Sequence, residues 1–568
     1  MFKPLPIGVE FFEKIKKNDY YYVDKTLFIK ELIDKKGEVN LFTRPRRFGK
    51  TLTLDMLRCF FEEGADPELF QGLKIMEAGE KYTSLMGQYP VIFLTLKSAK
   101  TGKEKSAFKA LRDEIAREFM RHSFLLKSGA LTDESVSDFL KYRDKKVEPD
   151  EYAGSLRFLC ECIKMATGKN TIILIDEYDV PLESSFYDGY YDHMVSFIRS
   201  LFEGALKTNV NMEFAVITGC LRISKESIFT GLNNLSIVSI LTPDFGEYFG
   251  FTDKEVRDVL RYYNLTDKYE EVRNWYNGYI FGTSNVYNPW STIMYLRDHI
   301  GANRDYFPVS YWANTSSNSI VRDLIERADN ETKGEIERLI GGGSIEKPVH
   351  EDITYGEIYD KQDNLWNFMF FTGYLKKTAE RFDDKTKSTY LTMVIPNWET
   401  EYIYRQKIIS WFDEKIVKST DRSALFSAMK EGDAEGFERE INRLLNPSIS
   451  YMDSYENFYH GFMAGILSGS NEYTVKSNRE SGDGRSDLLV KTQDVFDKAF
   501  VIELKTVKQE GKKPATMEMM DAAAEEAIRQ IDDLSYADAL LEEGYGNIGR
   551  YGISFFRKRC RVHYQDGY

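Results

Sequence analysis

A glycine–lysine–threonine triplet near the start of the chain has residue types that can bind phosphate. It follows the apolar run Val39–Thr43, which predicts a strand, and opens a segment with the apolar spacing of an amphipathic helix. Backbone N–H groups and the dipole at a helix start favour anions. In a P-loop here, Lys50 would neutralise the β- and γ-phosphates of a nucleotide, and the Thr51 hydroxyl would bind Mg²⁺. The residues predicted to hold the nucleotide in this loop are Arg46, Arg47, Phe48, Gly49, Lys50 and Thr51.

Two carboxylates further along the chain can complete such a site. Asp176 and Glu177 come directly after the apolar run Thr171–Ile175, which predicts a buried strand. Asp176 would hold Mg²⁺ through water, and Glu177 would polarise the water that attacks the γ-phosphate. Alone, two acids after a strand are more typical of a solvated turn, and a GKT triplet of an ordinary helix start. Their order and spacing together favour a nucleotide site, although Arg44 replaces the first glycine of the GxxxxGK[ST] pattern.

A third predicted strand, Glu213–Thr218, ends in a polar residue that can lie beside these acids. Thr218 could then sense the γ-phosphate. Arg222 follows within reach and could stabilise transition-state charge, within one subunit or across a subunit interface. A surface arginine on a loop is an equally good interpretation of Arg222.

A second set of acids lies near the end of the chain. Period-two alternation puts Glu503 and Lys505 on one face of the predicted strand Ala499–Lys505. Asp487, near the start of the preceding strand, would lie opposite Glu503 if the two strands are antiparallel. Two carboxylates so close repel unless a divalent cation lies between them, and Mg²⁺ prefers such oxygen ligands. Lys505 could orient or deprotonate a metal-bound water and stabilise charge on a phosphodiester, although Glu and Lys on an exposed strand often form only an ion pair.

The elements that must position these residues divide the chain into three regions. Strands alternate with helices over residues 1–244, which predicts a parallel sheet covered by helices on both faces. Helical periodicity dominates residues 245–446 and predicts a helical middle or lid region. Residues 447–568 again mix helices and strands in a smaller α/β unit.

Composition narrows the class of protein. The 568 residues are 42% hydrophobic and carry a net charge of −14, which argues against nonspecific coating of DNA but not against a local basic groove. The cysteines are five in number and have no CxxC spacing, so we expect reduced thiols in a cytoplasmic protein. We expect no secretory signal and no membrane span, because the apolar runs are far shorter than the roughly 20 residues that a bilayer requires.

Several motifs resemble those of a known family. They are RPRRFGKTL from Arg44, LIDEYDVPL from Leu174, TGCLRISKESIFTGLNNL from Thr218, WYNGYIFG from Trp275, VYNPWS from Val286 and YWANTSSN from Tyr311. The chain resembles the bacterial AAA-ATPase-like family, whose members usually carry a C-terminal PD-(D/E)XK nuclease-superfamily domain. The resemblance implies an ASCE-type P-loop core that uses ATP and Mg²⁺ through Lys50, Thr51, Asp176 and Glu177. Arginine before the P-loop proline is usual in that family.

The C-terminal acids resemble the PD-(D/E)XK core. That superfamily often adds a glutamate on the preceding helix and a glutamine on the following one, and Glu456 and Gln530 occupy those places. The usual proline–aspartate step is Ser486–Asp487 here. The implied catalytic residues of this domain are Glu456, Asp487, Glu503, Lys505 and Gln530. His460, one helical turn after Glu456, could face the same cleft, although a packed helix histidine is the more ordinary interpretation.

We therefore expect an ATPase coupled to a Mg²⁺-dependent nucleic-acid endonuclease, with DNA as the expected substrate although no residue decides between DNA and RNA. One alternative is a nucleotide-dependent switch whose nuclease-like domain is a binding surface. The acid pair argues against it, because a binding surface has no need of mutually repelling carboxylates. Another alternative is a signalling ATPase whose helical region senses a partner. A homo-oligomer is compatible with each, and no membrane partner is expected.

Overall fold

The computed structural model describes residues 2–222, 228–229, 231–301, 306–313, 329–351, 354–355, 357–358, 362–412, 421–445, 456–468, 473–477, 487–492, 494–507, 515–533 and 537–567. Contacts divide the chain into two compact units. One unit comprises residues 1–318 with 346–403, and the other comprises residues 319–345 with 404–568. None of the helices in the described ranges combines the length and the apolar content that spanning a bilayer requires.

A parallel five-stranded sheet forms the centre of the first unit, in the order β2-β3-β4-β1-β5. Every residue of β1 and β3 is buried, as expected for a parallel sheet with helices on both faces. The predicted α/β architecture is therefore confirmed. Its strands are β1 (Val39–Thr43), β2 (Val91–Thr95), β3 (Thr171–Asp176), β4 (Met212–Gly219) and β5 (Leu235–Val238). Its α-helices are Phe12–Lys17, Leu27–Lys35, Lys50–Phe61, Glu80–Thr83, Glu104–Arg121, Asp133–Arg143, Ser155–Thr167, Val180–Asp188 and Tyr191–Leu206.

The middle of the chain is helical, as predicted, and its described part also carries two small sheets. The described helices of this region that lie within the first unit are Asp253–Tyr262, Tyr269–Tyr276, Pro289–His299 and Gln362–Phe371, and helix Trp398–Phe412 begins in that unit. One sheet joins β6 (Phe251–Thr252), β7 (Tyr279–Phe281) and β8 (Ser284–Tyr287), and the other joins β9 (Ile345–Pro348), β10 (Lys376–Asp383) and β11 (Ser388–Val394). Strands β6 to β8 are too short for alternation to reveal them in the sequence.

A mixed five-stranded sheet forms the centre of the second unit, in chain order. Its strands are β12 (Tyr473–Ser477), β13 (Leu488–Thr492), β14 (Ala499–Thr506), β15 (Ile548–Phe556) and β16 (Arg559–Asp566). Neighbours are antiparallel except β14 and β15, which are parallel. The helices of this unit are Asn330–Ile340, Ser423–Glu431, Ala434–Leu445, Glu456–Leu467, Met517–Asp533 and Asp538–Glu542. This is the α/β unit that the C-terminal sequence predicts.

Helices from before residue 447 contribute to the core of this second unit. Met429, Phe437 and Leu444 are buried in one apolar cluster with Phe500 and Tyr551 of the sheet. The sequence places these helices in the middle region, because helical spacing does not show which sheet a helix packs against. The predicted limits of the three regions stay a prediction.

Candidate active sites

The order of the central sheet brings three predicted loops to one edge. Strand β4 lies between β1 and β3, so the loops that follow these strands are neighbours. The loop after β1 leads directly into helix Lys50–Phe61. Its turn requires left-handed backbone at Arg47 (φ 71°) and at Gly49 (φ 82°), where glycine is favoured. The N-terminus of this helix therefore opens at the edge where β3 and β4 also end.

Thr51, Asp176 and Thr218 form a continuous hydrogen-bonded set at this edge. The Thr51 hydroxyl donates to Asp176 Oδ2 at 2.7 Å, and the Thr218 hydroxyl donates to Asp176 Oδ1 at 2.6 Å. Asp176 is fully buried. Burial raises the pKa of Asp176, and the charge of Glu177 acts in the same direction, against the lowering effects of the two hydroxyls and Lys50. A buried carboxylate beside two hydroxyls offers hard oxygen ligands to a cation such as Mg²⁺.

Lys50 is folded back over its own loop. Its Nζ donates to the carbonyl oxygens of Arg44 and Pro45, each at 3.0 Å, and lies 3.6 Å from Cys220 Sγ. The side chain is buried. Its ammonium group therefore donates to backbone carbonyl oxygens, and a bound phosphate could replace these oxygens as the hydrogen-bond acceptor.

The remaining predicted phosphate-binding residues are held by neighbouring groups. Arg46 forms an ion pair with Glu183. The Arg47 guanidinium lies over the Trp290 ring, 4.5 Å from its centroid. The Phe48 ring is buried against aromatic rings of β7, so Phe48 can offer a phosphate only its backbone.

Arg44, which replaces the first glycine of the P-loop pattern, is fully buried. Its Nη1 donates to the carbonyl oxygens of Thr43 at 2.8 Å and Val238 at 2.9 Å. Its guanidinium also lies over the rings of Phe249 and Phe281, at 5.2 and 5.1 Å. Burial lowers the pKa of Arg44 to about 9. The side chain thus links the P-loop to β5 and β7.

A cleft of about 300 Å³ runs along this edge. Lys50, Thr51 and Glu177 line it, and Glu177 takes left-handed backbone (φ 52°) directly after β3. Apolar residues line it as well, among them Pro6, Val9, Leu52, Pro289 and Ile293. One cleft thus combines polar groups of the P-loop with apolar groups, some of which belong to the helix Pro289–His299.

Arg222 does not line this cleft. Its Nη1 lies 3.3 Å from Glu351 Oε2, and Glu351 also accepts a hydrogen bond from the Ser239 hydroxyl at 2.7 Å. Glu351 is distant in sequence, so this partner could not be predicted from the motif around Arg222.

The C-terminal acids come together on neighbouring strands. In the antiparallel register Leu488 pairs with Ile502, and one further step places Asp487 opposite Glu503. The Asp487 N–H donates to Glu503 Oε2 at 3.3 Å, and the Leu504 N–H donates to Asp487 Oδ2 at 2.9 Å. His460 Nε2 donates to the Asp487 carbonyl oxygen at 2.9 Å. Both carboxylates therefore lie on one side of the sheet, and His460 contacts the backbone of Asp487.

Lys505 and Gln530 complete this group. Lys505 Nζ lies 4.0 Å from Glu503 Oε1 and donates a hydrogen bond to Gln530 Oε1, on helix Met517–Asp533. Glu456 is the first residue of helix Glu456–Leu467, but its side chain lies outside the described residues, as does Ser486. Among the described residues no three His, Cys, Asp or Glu side chains converge as metal ligands. The two carboxylates fit a divalent cation, because their hard oxygens would otherwise repel each other at a nearly buried site.

Comparison with known proteins assigns two segments of the chain to families. Residues 6–229 match the family described as Predicted AAA-ATPase, and residues 454–565 match the PD-(D/E)XK nuclease superfamily. The chain joins an AAA-ATPase-like domain to a PD-(D/E)XK nuclease-superfamily domain. The resemblance inferred from the motifs is therefore confirmed.

A curated relative of this chain is an "uncharacterized protein in vnfD 5'region" from Azotobacter chroococcum mcd 1. The two are 29% identical over 325 residues, which is 57% of this chain and 56% of the relative. The chain thus spans about half the length of that relative.

The AAA-ATPase-like domain also contains site residues that motif reasoning missed. Glu10, Lys97 and Lys100 line the cleft. The sequence contained a signal for Lys97, because Lys97 directly follows the predicted strand Val91–Leu96. Asp176 and Glu177 follow the predicted strand Thr171–Ile175 in the same way. Its place beside β3 depended on the strand order, which the sequence did not predict.

Asp179 is a second missed residue of this domain, and it connects two loops of the edge. Its Oδ2 accepts hydrogen bonds from the N–H groups of Cys220 at 2.7 Å and Leu221 at 3.1 Å. Burial raises the pKa of Asp179 to about 6. A Cβ atom on Gly219 would lie 2.5 Å from the Tyr178 ring and 2.9 Å from Asp179 Oδ1, so this contact requires glycine. Asp179 therefore fixes the loop after β4 to the loop after β3.

Proposed function

We propose that this protein is an ATPase coupled to a Mg²⁺-dependent endonuclease of nucleic acid, with DNA as the expected substrate. The observation that carries the proposal is that one chain holds two separate groups of acids and lysines suited to phosphate chemistry. One group surrounds Lys50 and Asp176, and the other surrounds Glu503 and Lys505.

At the first site the residues would bind ATP and orient water. Lys50 would exchange the carbonyl groups of its own loop for phosphate oxygens. When bound through Thr51 and Asp176, Mg²⁺ would neutralise charge on the β- and γ-phosphates. Glu177, which lines the cleft, would orient the attacking water and accept its proton. Thr218 would hold Asp176 in place.

The apolar part of the cleft supports a nucleotide rather than free phosphate as the ligand. Pro6, Pro289 and Ile293 offer a surface that suits a flat base and gives nothing to a phosphate group. Pro289 and Ile293 belong to a helix of the middle region. Binding of ATP would therefore act directly on that region, and we propose that this change controls cleavage of nucleic acid.

At the second site the residues would hold a phosphodiester and a water molecule. When bound by Asp487 and Glu503, Mg²⁺ would polarise the phosphodiester. Lys505, held by Gln530, would orient the attacking water and stabilise the negative charge that develops on the phosphorus centre. Glu456 is proposed as a further acid of this site, from its place in the superfamily pattern.

A cytoplasmic location forms part of the proposal. All five cysteines carry free thiols, and those of Cys59, Cys160, Cys162 and Cys560 are buried. Free thiols are typical of proteins in a reducing compartment.

The test uses the full chain with supercoiled plasmid DNA and Mg²⁺, with and without ATP. We expect wild-type protein to nick or linearise the plasmid and Lys505→Ala to leave it intact. The matched control is Lys498→Ala, because Lys498 pairs with Asp566 and not with the acids of the site. Lys50→Ala should abolish ATP hydrolysis and the effect of ATP on cleavage. Plasmid that stays intact with wild-type protein under every condition would rule out the nuclease part.

A further inference from the structure

Lys97 lies beside the proposed nucleotide site but has no role in the function described above. It opens the short turn Lys97–Ala99 after β2, and β2 pairs with β3. In that register Thr95 lies level with Asp176, and the Leu96 N–H donates to the Asp176 carbonyl oxygen at 3.0 Å. The sheet therefore carries Lys97 to the edge from which Asp176 and Glu177 emerge.

The surroundings of Lys97 keep it charged and close to the cleft. Lys97 Nζ lies 2.8 Å from Glu10 Oε1, and both residues line the cleft. Burial lowers the pKa of Lys97, but the hydrogen bond to Glu10 and the charges of Glu10, Glu177 and Asp176 raise it more. Lys97 is thus a cation in the field of the acids expected to act in ATP hydrolysis.

The present partner of Lys97 is readily exchanged. The side chains of Lys97 and Glu10 are 52% and 46% exposed, and ion pairs this exposed contribute little stability. A terminal phosphate carries more negative charge than one carboxylate and accepts strong charge-assisted hydrogen bonds. A triphosphate in the cleft would therefore compete well with Glu10 for the ammonium group.

The chemistry of phosphoryl transfer calls for such a cation. Negative charge on the transferred phosphoryl group needs stabilisation beyond that supplied by the P-loop lysine and Mg²⁺. Arg222, the arginine that the sequence offers as one candidate for this purpose, pairs with Glu351 and does not line the cleft. Lys97 does line it.

We propose that Lys97 contacts the terminal phosphate of the bound nucleoside triphosphate and leaves Glu10 when it does so. The inference rests on the proposed ATP site. Lys97 then discriminates ATP from ADP, because ADP lacks the phosphate that Lys97 contacts. Loss of the Glu10 contact makes the segment that carries Glu10 responsive to the terminal phosphate.

The test measures binding of Mg²⁺·ADP and of a non-hydrolysable Mg²⁺·ATP analogue to the full chain by calorimetry. Lys97→Met keeps most of the side chain but removes its charge. We expect it to weaken binding of the ATP analogue by about tenfold or more, and that of ADP by less than about twofold. The matched control is Lys103→Met, since Lys103 is exposed and does not line the cleft.

A second variant tests the exchange of partners. Glu10→Gln removes the competing carboxylate, so it should tighten binding of the ATP analogue in wild-type protein and have no effect when combined with Lys97→Met. If Lys97→Met weakened binding of ADP and of the ATP analogue to the same extent, or weakened neither, the inference would be overturned and the proposed ATP site would stand. Failure of the folded wild-type protein to bind either nucleotide would overturn both.

Discussion

Asp176 and Glu503 are buried carboxylates at the centres of the two sites, and each lies near a lysine. Asp176 accepts hydrogen bonds from two hydroxyl groups, and Glu503 accepts one from a backbone N–H. Burial of a carboxylate is costly unless its charge is compensated. A bound divalent cation would supply that compensation, which is why we propose a metal at each site.

His460 is predicted to position Asp487 through the hydrogen bond to its carbonyl oxygen. His460→Leu removes the donor, and we expect it to weaken the apparent affinity for Mg²⁺ by about tenfold, as for other groups that support a metal ligand. His460→Gln offers an amide N–H to the same carbonyl and should restore most of the affinity. The measurement is the cleavage rate as a function of Mg²⁺ concentration, with circular dichroism to check folding. Equal losses in both variants would contradict a positioning role.

At the scale of elements, three neighbours assemble the C-terminal site. Strand β13 follows directly on Asp487, β14 carries Glu503 and Lys505, and helix Met517–Asp533 brings Gln530 to Lys505. The helix can approach closely because β15 has glycine at position 552. A Cβ atom there would lie 2.2 Å from the Ala524 carbonyl oxygen and 2.9 Å from the Ile528 backbone nitrogen.

Gly552→Ala should therefore push this helix away from β15 and separate Gln530 from Lys505. We expect a loss of about 1–3 kcal/mol in the free energy of unfolding, the usual range for overpacking, together with reduced cleavage of DNA. Gly546→Ala is the matched control, because a Cβ at position 546 has no atom within 4 Å and its backbone is not left-handed. Urea unfolding of both variants gives the measurement. Equal stability of the two variants would show that the close approach does not constrain the helix.

At the scale of the whole molecule, one buried glutamate joins distant parts of the first unit. Glu399 on helix Trp398–Phe412 accepts hydrogen bonds from the N–H groups of Tyr311 at 2.8 Å and Trp312 at 2.9 Å, and from the Ser291 hydroxyl. Burial raises the pKa of Glu399 to about 7, although these donors oppose the shift. The residues it joins belong to the motifs VYNPWS and YWANTSSN, whose role the sequence did not explain.

The raised pKa of Glu399 makes the free energy of unfolding depend on pH. Its pKa in the folded protein is about 7, above the ordinary value of 4.5. Between these values the folded state holds a proton that the unfolded state has lost, so stability falls as pH rises. Between about pH 5 and pH 8, we expect the free energy of unfolding of the wild-type protein to fall by on the order of 2 kcal/mol relative to that of Glu399→Gln. Urea unfolding across this range provides the measurement, and parallel pH profiles of the two proteins would contradict the assignment.

The sequence by itself determined the fold class and the residues that lie next to their own strands. The P-loop, the acids after β3 and the Glu–Lys pair of β14 follow from short-range spacing, because alternation and helix starts are local properties. The strand Ala499–Lys505 was predicted within one residue of β14. The catalytic roles of these residues stay predictions.

Only the tertiary structure decided which distant residues meet. The order β2-β3-β4-β1-β5 puts Lys97 beside Asp176, and packing gives Arg222 its partner Glu351. Packing likewise assigns helices Ser423–Glu431 and Ala434–Leu445 to the core of the second unit. The physical reason is that local pattern fixes how a segment folds and which face it buries, whereas contacts between segments far apart in the chain depend on how all the buried faces fit together.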